Sequence, residues 1–193
     1  SSTLAAGAWA TGGELNSGRP GMASAGTQTA SIIAGGASPP GDLPDVAETY
    51  DGSSWTEVAD LNTGRKYLEG AGSSTAALGF GGYSPLNDET ESYDGSTWTE
   101  VADLNTAKNN TAGAGSQTLA LCFSGTVPAA TGTNEEWDGV SWTEVADLSV
   151  ARSYAGGTGT RSLALCMGGT GPSPNSVATE EWTIPQNVEI ITD

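Results

Sequence analysis

A small four-bladed β-propeller, an all-β fold in which four four-stranded sheets stand around an axis, is what this sequence predicts. Three observations carry the prediction. The phrase YDGSSWTEVADLNTGR (50–65) returns as YDGSTWTEVADLNTAK (93–108) and again as WDGVSWTEVADLSVAR (137–152). Anchored on Trp9, Trp55, Trp98 and Trp142, the repeats are spaced by 46, 43 and 44 residues, a period at which propellers and solenoids occur. Each unit also carries four short strand signals, the count of a propeller blade.

The marks inside the unit keep a fixed distance from each anchor Trp. A Leu follows by six residues (Leu15, Leu61, Leu104, Leu148) and a basic residue by ten (Arg19, Arg65, Lys108, Arg152). A Gly follows by seventeen (Gly26, Gly72, Gly115, Gly159), and the second residue of a small pair by twenty-seven (Gly36, Gly82, Gly125, Gly169). Length varies only between that pair and the next aromatic, as expected of a loop on a repeated scaffold.

The first strand of each unit is small and rich in Ala and Gly, as in LEGAG (68–72). The second is apolar and ends at the small pair, as in AALGFGG (76–82) and ALCFSG (120–125). The third ends in an aromatic, Tyr50, Tyr93, Trp137 or Trp182. In the first three units Asp-Gly follows at once, a strong hairpin signal, and leads into a fourth strand bearing the anchor Trp.

After Trp182 the sequence reads TIPQ, so the fourth unit has no local fourth strand. The stretch GAWATGGEL, with Trp9 and Leu15, has no unit before it and is expected to supply one. The predicted domain is a single propeller over residues 1–185, with units at about 19–58, 65–101, 108–145 and 152–184. The strand 5–15 closes the last blade, and 186–193 is a tail. Small side chains in MASAG (22–26) and TAGAG (111–115) suit a narrow axis.

The double glycine, third-strand aromatic, fourth-strand Trp and following basic residue of GGYSPLNDETESYDGSTWTEVADLNTAK (81–108) resemble the kelch repeat in order and kind. The resemblance spans residues 9–182 and implies a kelch-like propeller, although kelch propellers more often have five to seven blades. The wording of the repeats is also similar to kelch-like structural proteins of marine tailed bacteriophages. That likeness implies a virion or extracellular location, host attachment or capsid and tail decoration as the role, and other virion proteins or a host surface receptor as partners.

Composition narrows the function. Six Lys and Arg against 23 Asp and Glu give a net charge of −17, which repels nucleic-acid phosphates and anionic membranes. No long apolar window offers a membrane span, and SSTLAAGAWA has neither the basic start nor the apolar core of a signal peptide. There is no His, which removes imidazole acid–base catalysis, Ser-His-Asp and Cys-His systems and His-ligated metals, including the copper chemistry of kelch-type oxidases. No cofactor, no metal and no catalytic residue are expected; calcium is not indicated by any Asp-rich loop of EF-hand spacing. Cys122 and Cys166 occupy equivalent positions in neighbouring repeats and read as two buried free thiols.

Among the carboxylates, Glu48, Glu91, Glu135 and Glu180 each precede the third-strand aromatic by two residues. Fourfold equivalence opposes the two different environments that a carboxylate glycosidase needs, so a bond to a neighbouring strand or loop is expected, with glycan hydrolysis as the enzymatic alternative. The basic residues Arg19, Arg65, Lys108 and Arg152 form a ring with two readings. One is an anion site at the channel mouth; the other is one structural bridge per blade to Glu14, Asp60, Asp103 and Asp147. The repeated Trp residues are expected in the core, since each removes about 200 Å² from water. The variable, Pro-containing loops at 37–46, 83–89, 126–133 and 170–177 are expected to share a face with Tyr67, Tyr83, Leu86 and Tyr154, the candidate binding surface. The expected function is a non-enzymatic binding or structural module; self-association, as a filament or shell subunit, is the competing reading.

Overall fold

The computed structural model describes residues 7–38, 42–172 and 176–185. It is all-β, with four small antiparallel sheets arranged as a four-bladed β-propeller. The first blade runs β1 (Ala23–Thr27), β2 (Ala30–Ala34), β3 (Ala47–Tyr50) and β4 (Trp55–Val58) from the axis outward. The second repeats this order with β5 (Glu69–Ser73), β6 (Ala76–Phe80), β7 (Thr90–Tyr93) and β8 (Trp98–Glu100). The third holds β9 (Ala112–Gly115) and β10 (Ala120–Phe123), then a two-residue ribbon of β11 (Thr126–Val127) and β12 (Ala129–Ala130) in its loop. It continues with β13 (Asn134–Trp137) and β14 (Trp142–Val145). The fourth has, among the described residues, three strands, β15 (Gly156–Thr160), β16 (Leu163–Met167) and β17 (Thr179–Thr183).

The outer hairpins form where Asp-Gly predicts them. Asp51 Oδ1 accepts the N–H groups of Ser53 (2.8 Å) and Ser54 (2.9 Å), and Asp94 Oδ1 accepts those of Ser96 and Thr97 (both 2.8 Å). The carboxylate thus closes the turn, and strands three and four pair with the third-strand aromatic opposite the anchor Trp: Tyr50 opposite Trp55, Tyr93 opposite Trp98, Trp137 opposite Trp142. Their rings touch, with centroids 5.1, 5.1 and 5.4 Å apart.

Alternation along each strand sends one set of side chains to the preceding blade and the other to the following one. The core therefore lies between blades, in three clusters. Ala34, Ala47 and Trp98 belong to the first, Phe80, Leu104 and Trp142 to the second, and Leu121, Phe123 and Cys166 to the third. Innermost strands approach backbone to backbone: a Cβ on Gly70 would lie 2.7 Å from the Ser24 carbonyl oxygen, and one on Gly157 2.5 Å from that of Gly113. Their smallness serves this contact between neighbouring strands.

Among the described residues three junctions join the four blades, and no comparable packing closes the circle. β1 packs on β5, β5 on β9 and β9 on β15, whereas β15 and β1 make no comparable packing. All five residues of β15 are exposed. The expected closing strand is a correction. Residues 7–15, the described part of segment 5–15, form no strand and leave Trp9 fully exposed. They lie along the first blade, where a Cβ on Gly12 would meet the Tyr50 hydroxyl at 3.1 Å and one on Gly13 the Ser53 carbonyl oxygen at 2.4 Å. The reason is local. Gly12 and Gly13 are seated on Tyr50 and Ser53 of the first blade, which makes no comparable packing with the fourth among the described residues. The predicted tail 186–193 lies outside the described residues.

Candidate functional site

The basic ring and the glutamate ring are one set of contacts. Arg19 donates to Glu48 at 2.5 Å and Arg65 to Glu91 at 2.7 Å; Lys108 Nζ lies 3.0 Å from Glu135, and Arg152 binds Glu180. All four basic side chains are fully buried. The same glutamates accept the backbone N–H and side-chain amide of the residue following the repeat Leu: Asn16 (2.8 and 2.9 Å), Asn62 (2.7 and 2.8 Å) and Asn105 (2.6 and 2.9 Å). In the fourth blade Ser149 supplies only its N–H. Each amide also reaches the carbonyl of an anchor Trp, Trp55, Trp98 or Trp142.

One structural bridge per blade is present, but its carboxylate is the third-strand Glu and not Glu14, Asp60, Asp103 or Asp147, and the four cationic groups of the expected anion site are enclosed and paired. The reason is reach: the entering loop crosses the sheet end, where the third-strand Glu already needs counter-charge. Burial raises the Glu48 carboxyl, but bonds from Arg19 and Asn16, with the Arg19 charge, outweigh it and hold the group below the ordinary carboxylate range. Glu180 is lowered in the same way, against its burial, by Ser149 and Arg152. An acid or base needs a poised proton, and these carboxylates are held ionised.

The loop face is built differently. Gly21, Tyr67, Asn110 and Tyr154 each follow an anchor Trp by twelve residues and all have left-handed backbones, with φ of 73°, 58°, 51° and 56°. They are stitched blade to blade. Tyr67 N–H donates to Gly21 O (2.6 Å), Asn110 N–H to Tyr67 O (3.0 Å) and Tyr154 N–H to Asn110 O (3.0 Å). Gly and Asn enter this region readily, whereas a Tyr there carries about 1–2 kcal/mol of strain. The variable loops begin beside this ring, where Lys66 pairs with Tyr83, Asn109 with Thr126 and Ser153 with Thr170.

Tyr67, Tyr83 and Tyr154 are 38, 45 and 65 % exposed. Lys66 Nζ sits 5.4 Å from the Tyr67 ring centre and 5.7 Å from that of Tyr83, a cation held between two aromatic rings. Leu86 pairs with Tyr83 as a backbone bridge and is half-buried. Tyr67 and Tyr83 thus flank Lys66, and Tyr154 is linked to Tyr67 through the backbone of Asn110. Lys66 and Asn110 were missed in the sequence. Arg161 pairs with Glu136 at 2.9 Å, so among the described residues Lys66 is the one basic side chain without a carboxylate partner.

A further residue without warning in the repeats is Glu69. It stands on the innermost strand where the other blades have Ala23, Ala112 and Gly156, and burial pushes its carboxyl up to about 7 against one bond from the Gly70 N–H. Cys122 and Cys166 are buried free thiols, and burial raises both, Cys122 to about 11, so neither is an activated nucleophile. Among the described residues no group of three or more acidic or thiol side chains is gathered to hold a metal ion. No protein-family model matches this sequence, and no curated protein matches it significantly. The class defined by the geometry is therefore a four-bladed β-propeller with a tyrosine-bearing loop face.

Proposed function

We propose that this protein is a non-enzymatic recognition module that binds its partner through the loop face. One observation carries the reading: Tyr67 and Tyr154 hold strained left-handed backbones at exposed positions where Gly or Asn would sit without cost. At Tyr154, 65 % exposed, burial offsets little of that strain, which supports a contact made outside the chain. Rigid Tyr rings supply contact area at low entropic cost, and Lys66 adds a cation among them. The four glutamates sit in equivalent settings, each paired with a buried basic side chain, which supports binding over hydrolysis.

The kelch-like pattern of glycine pair, third-strand aromatic and fourth-strand Trp, and the similarity of the repeats to structural proteins of marine tailed bacteriophages, favour a virion surface component that contacts a host surface receptor. The test is retention of fluorescently labelled protein by intact cells of a panel of marine bacteria. Saturable retention by a subset of strains is expected. Retention by none, or release of reducing sugar from the cell-surface glycan by the purified protein, overturns the reading.

A further inference from the structure

A cavity of about 70 Å³ opens between the third and fourth blades, lined by Phe123, Asn134, Leu148, Cys166, Glu180 and Trp182 among others. Its position in the repeat says what it lacks. At the preceding junction the same place is filled by Trp142, whose ring packs edge-on against Phe80 with centroids 5.1 Å apart and whose indole N–H donates to Thr90 Oγ1 at 3.0 Å. Phe123 stands where Phe80 does, and Asn134 stands where Thr90 does, each as the first residue of the third strand or the last of the second. Among the described residues the fourth blade has no fourth strand, and so no anchor Trp to enter.

A second observation points to the same occupant. Asn134 is 3 % exposed; its Nδ2 donates to Ala146 O at 3.3 Å, while its Oδ1 has no partner. A buried acceptor at the position where Thr90 receives an indole N–H is unsatisfied until an indole arrives. The free face of this blade is unfinished too. Leu165 and Met167 occupy the positions at which Leu78 and Phe80, or Leu121 and Phe123, are covered by the next blade, yet Leu165 is half-buried and Met167 is 38 % exposed.

The matching part is at the other end of the arc. Trp9 is fully exposed, and the first blade presents Tyr50 and a half-buried Trp55 on the face that no preceding blade covers. Trp9 precedes Gly12, which lies against Tyr50, by three residues, an extended reach of about 10 Å, so Trp9 travels with the first blade. Because that blade makes no comparable packing with the fourth blade of its own chain among the described residues, the partner that brings Trp9 to the cavity is another molecule. We infer that this chain associates head to tail with a second copy of itself: the strand around Trp9 of one copy completes the fourth blade of the other. The indole fills the cavity and donates to Asn134 Oδ1, and the first blade covers Leu165 and Met167. This contact is independent of the tyrosine face.

The strand pairing of the other blades sets the register. Thr49 faces Thr56, Ser92 faces Thr99 and Glu136 faces Thr143, which places Ala10 of one copy opposite Glu181 of the next. Two single variants of the full chain, Ala10→Cys and Glu181→Cys, should form a covalent heterodimer when mixed and oxidised, while each alone does not. Sedimentation velocity should show the wild type shifting to larger species with concentration, whether closed rings or longer chains. Trp9→Ala should remain monomeric with an unchanged far-UV spectrum, since nothing of its own blade packs on that side chain. A wild type monomeric across the concentration range overturns the inference. So does an Ala10→Cys/Glu181→Cys double variant that closes within one chain at high dilution.

Discussion

The Trp142 indole donates to Thr90 Oγ1 across the junction of the third and second blades at 3.0 Å; at the junction before it, Trp98 faces Ala47 and its indole N–H has no partner. Removing the acceptor should make the two junctions alike. Thr90→Val keeps the shape and leaves a second buried N–H unpaired, so it should cost about 1–3 kcal/mol in urea unfolding. A Trp142→Phe background should abolish most of that cost, because the donor is then gone.

The buried ion pairs should behave asymmetrically. Arg65→Met strands Glu91 and its bonds from Asn62 and should cost about 3–5 kcal/mol. The double variant Arg65→Met/Glu91→Leu should recover part of that loss, measured as a higher urea midpoint than the single variant.

Stability should fall on both sides of a weakly acidic optimum. Glu48 and Glu180 are lowered in the folded state, so what they contribute is present above about pH 4.5 and is lost as pH falls through their folded values. Glu69 has the opposite sign: its carboxyl is raised to about 7, so the fold has its full advantage below about pH 4.5 and loses it as pH rises through 7. Glu69→Gln should therefore be the more stable protein at pH 8, by on the order of 2–3 kcal/mol, and nearly indistinguishable at pH 4. Thermal melts at the two pH values check this.

Relieving the loop-face strain should raise stability. Tyr154→Asn places at φ 56° a residue that Asn110 already shows to fit the ring. A gain of about 0.5–1 kcal/mol is expected in thermal or urea melts, and a loss would mean that the Tyr154 ring is held by contacts of its own blade.

The blades were legible because each depends on local chemistry: Asp-Gly closes the outer hairpin, alternation points Trp and its aromatic neighbour one way, and Gly admits the next backbone. The pairing of Arg19 with Glu48 was not, because the contact joins residues 29 apart whose only sequence trace is a shared period. Two rings of opposite charge repeating in step were that trace. Closure failed for a different reason: a periodic pattern fixes which strand completes a blade but not which molecule supplies it. Glu69 and Lys66 break the period, and residues that break a repeat are where its symmetry leaves room for function.

The claim that the loop face is a recognition surface is tested most directly by titrating labelled protein onto cells of a strain that retains it, wild type against Tyr83→Ala/Tyr154→Ala. Both side chains are exposed, so the variant should melt within a few degrees of the wild type. The account predicts that its apparent affinity falls by at least tenfold, about 1.4 kcal/mol. A variant that is equally folded and binds as the wild type does would contradict it.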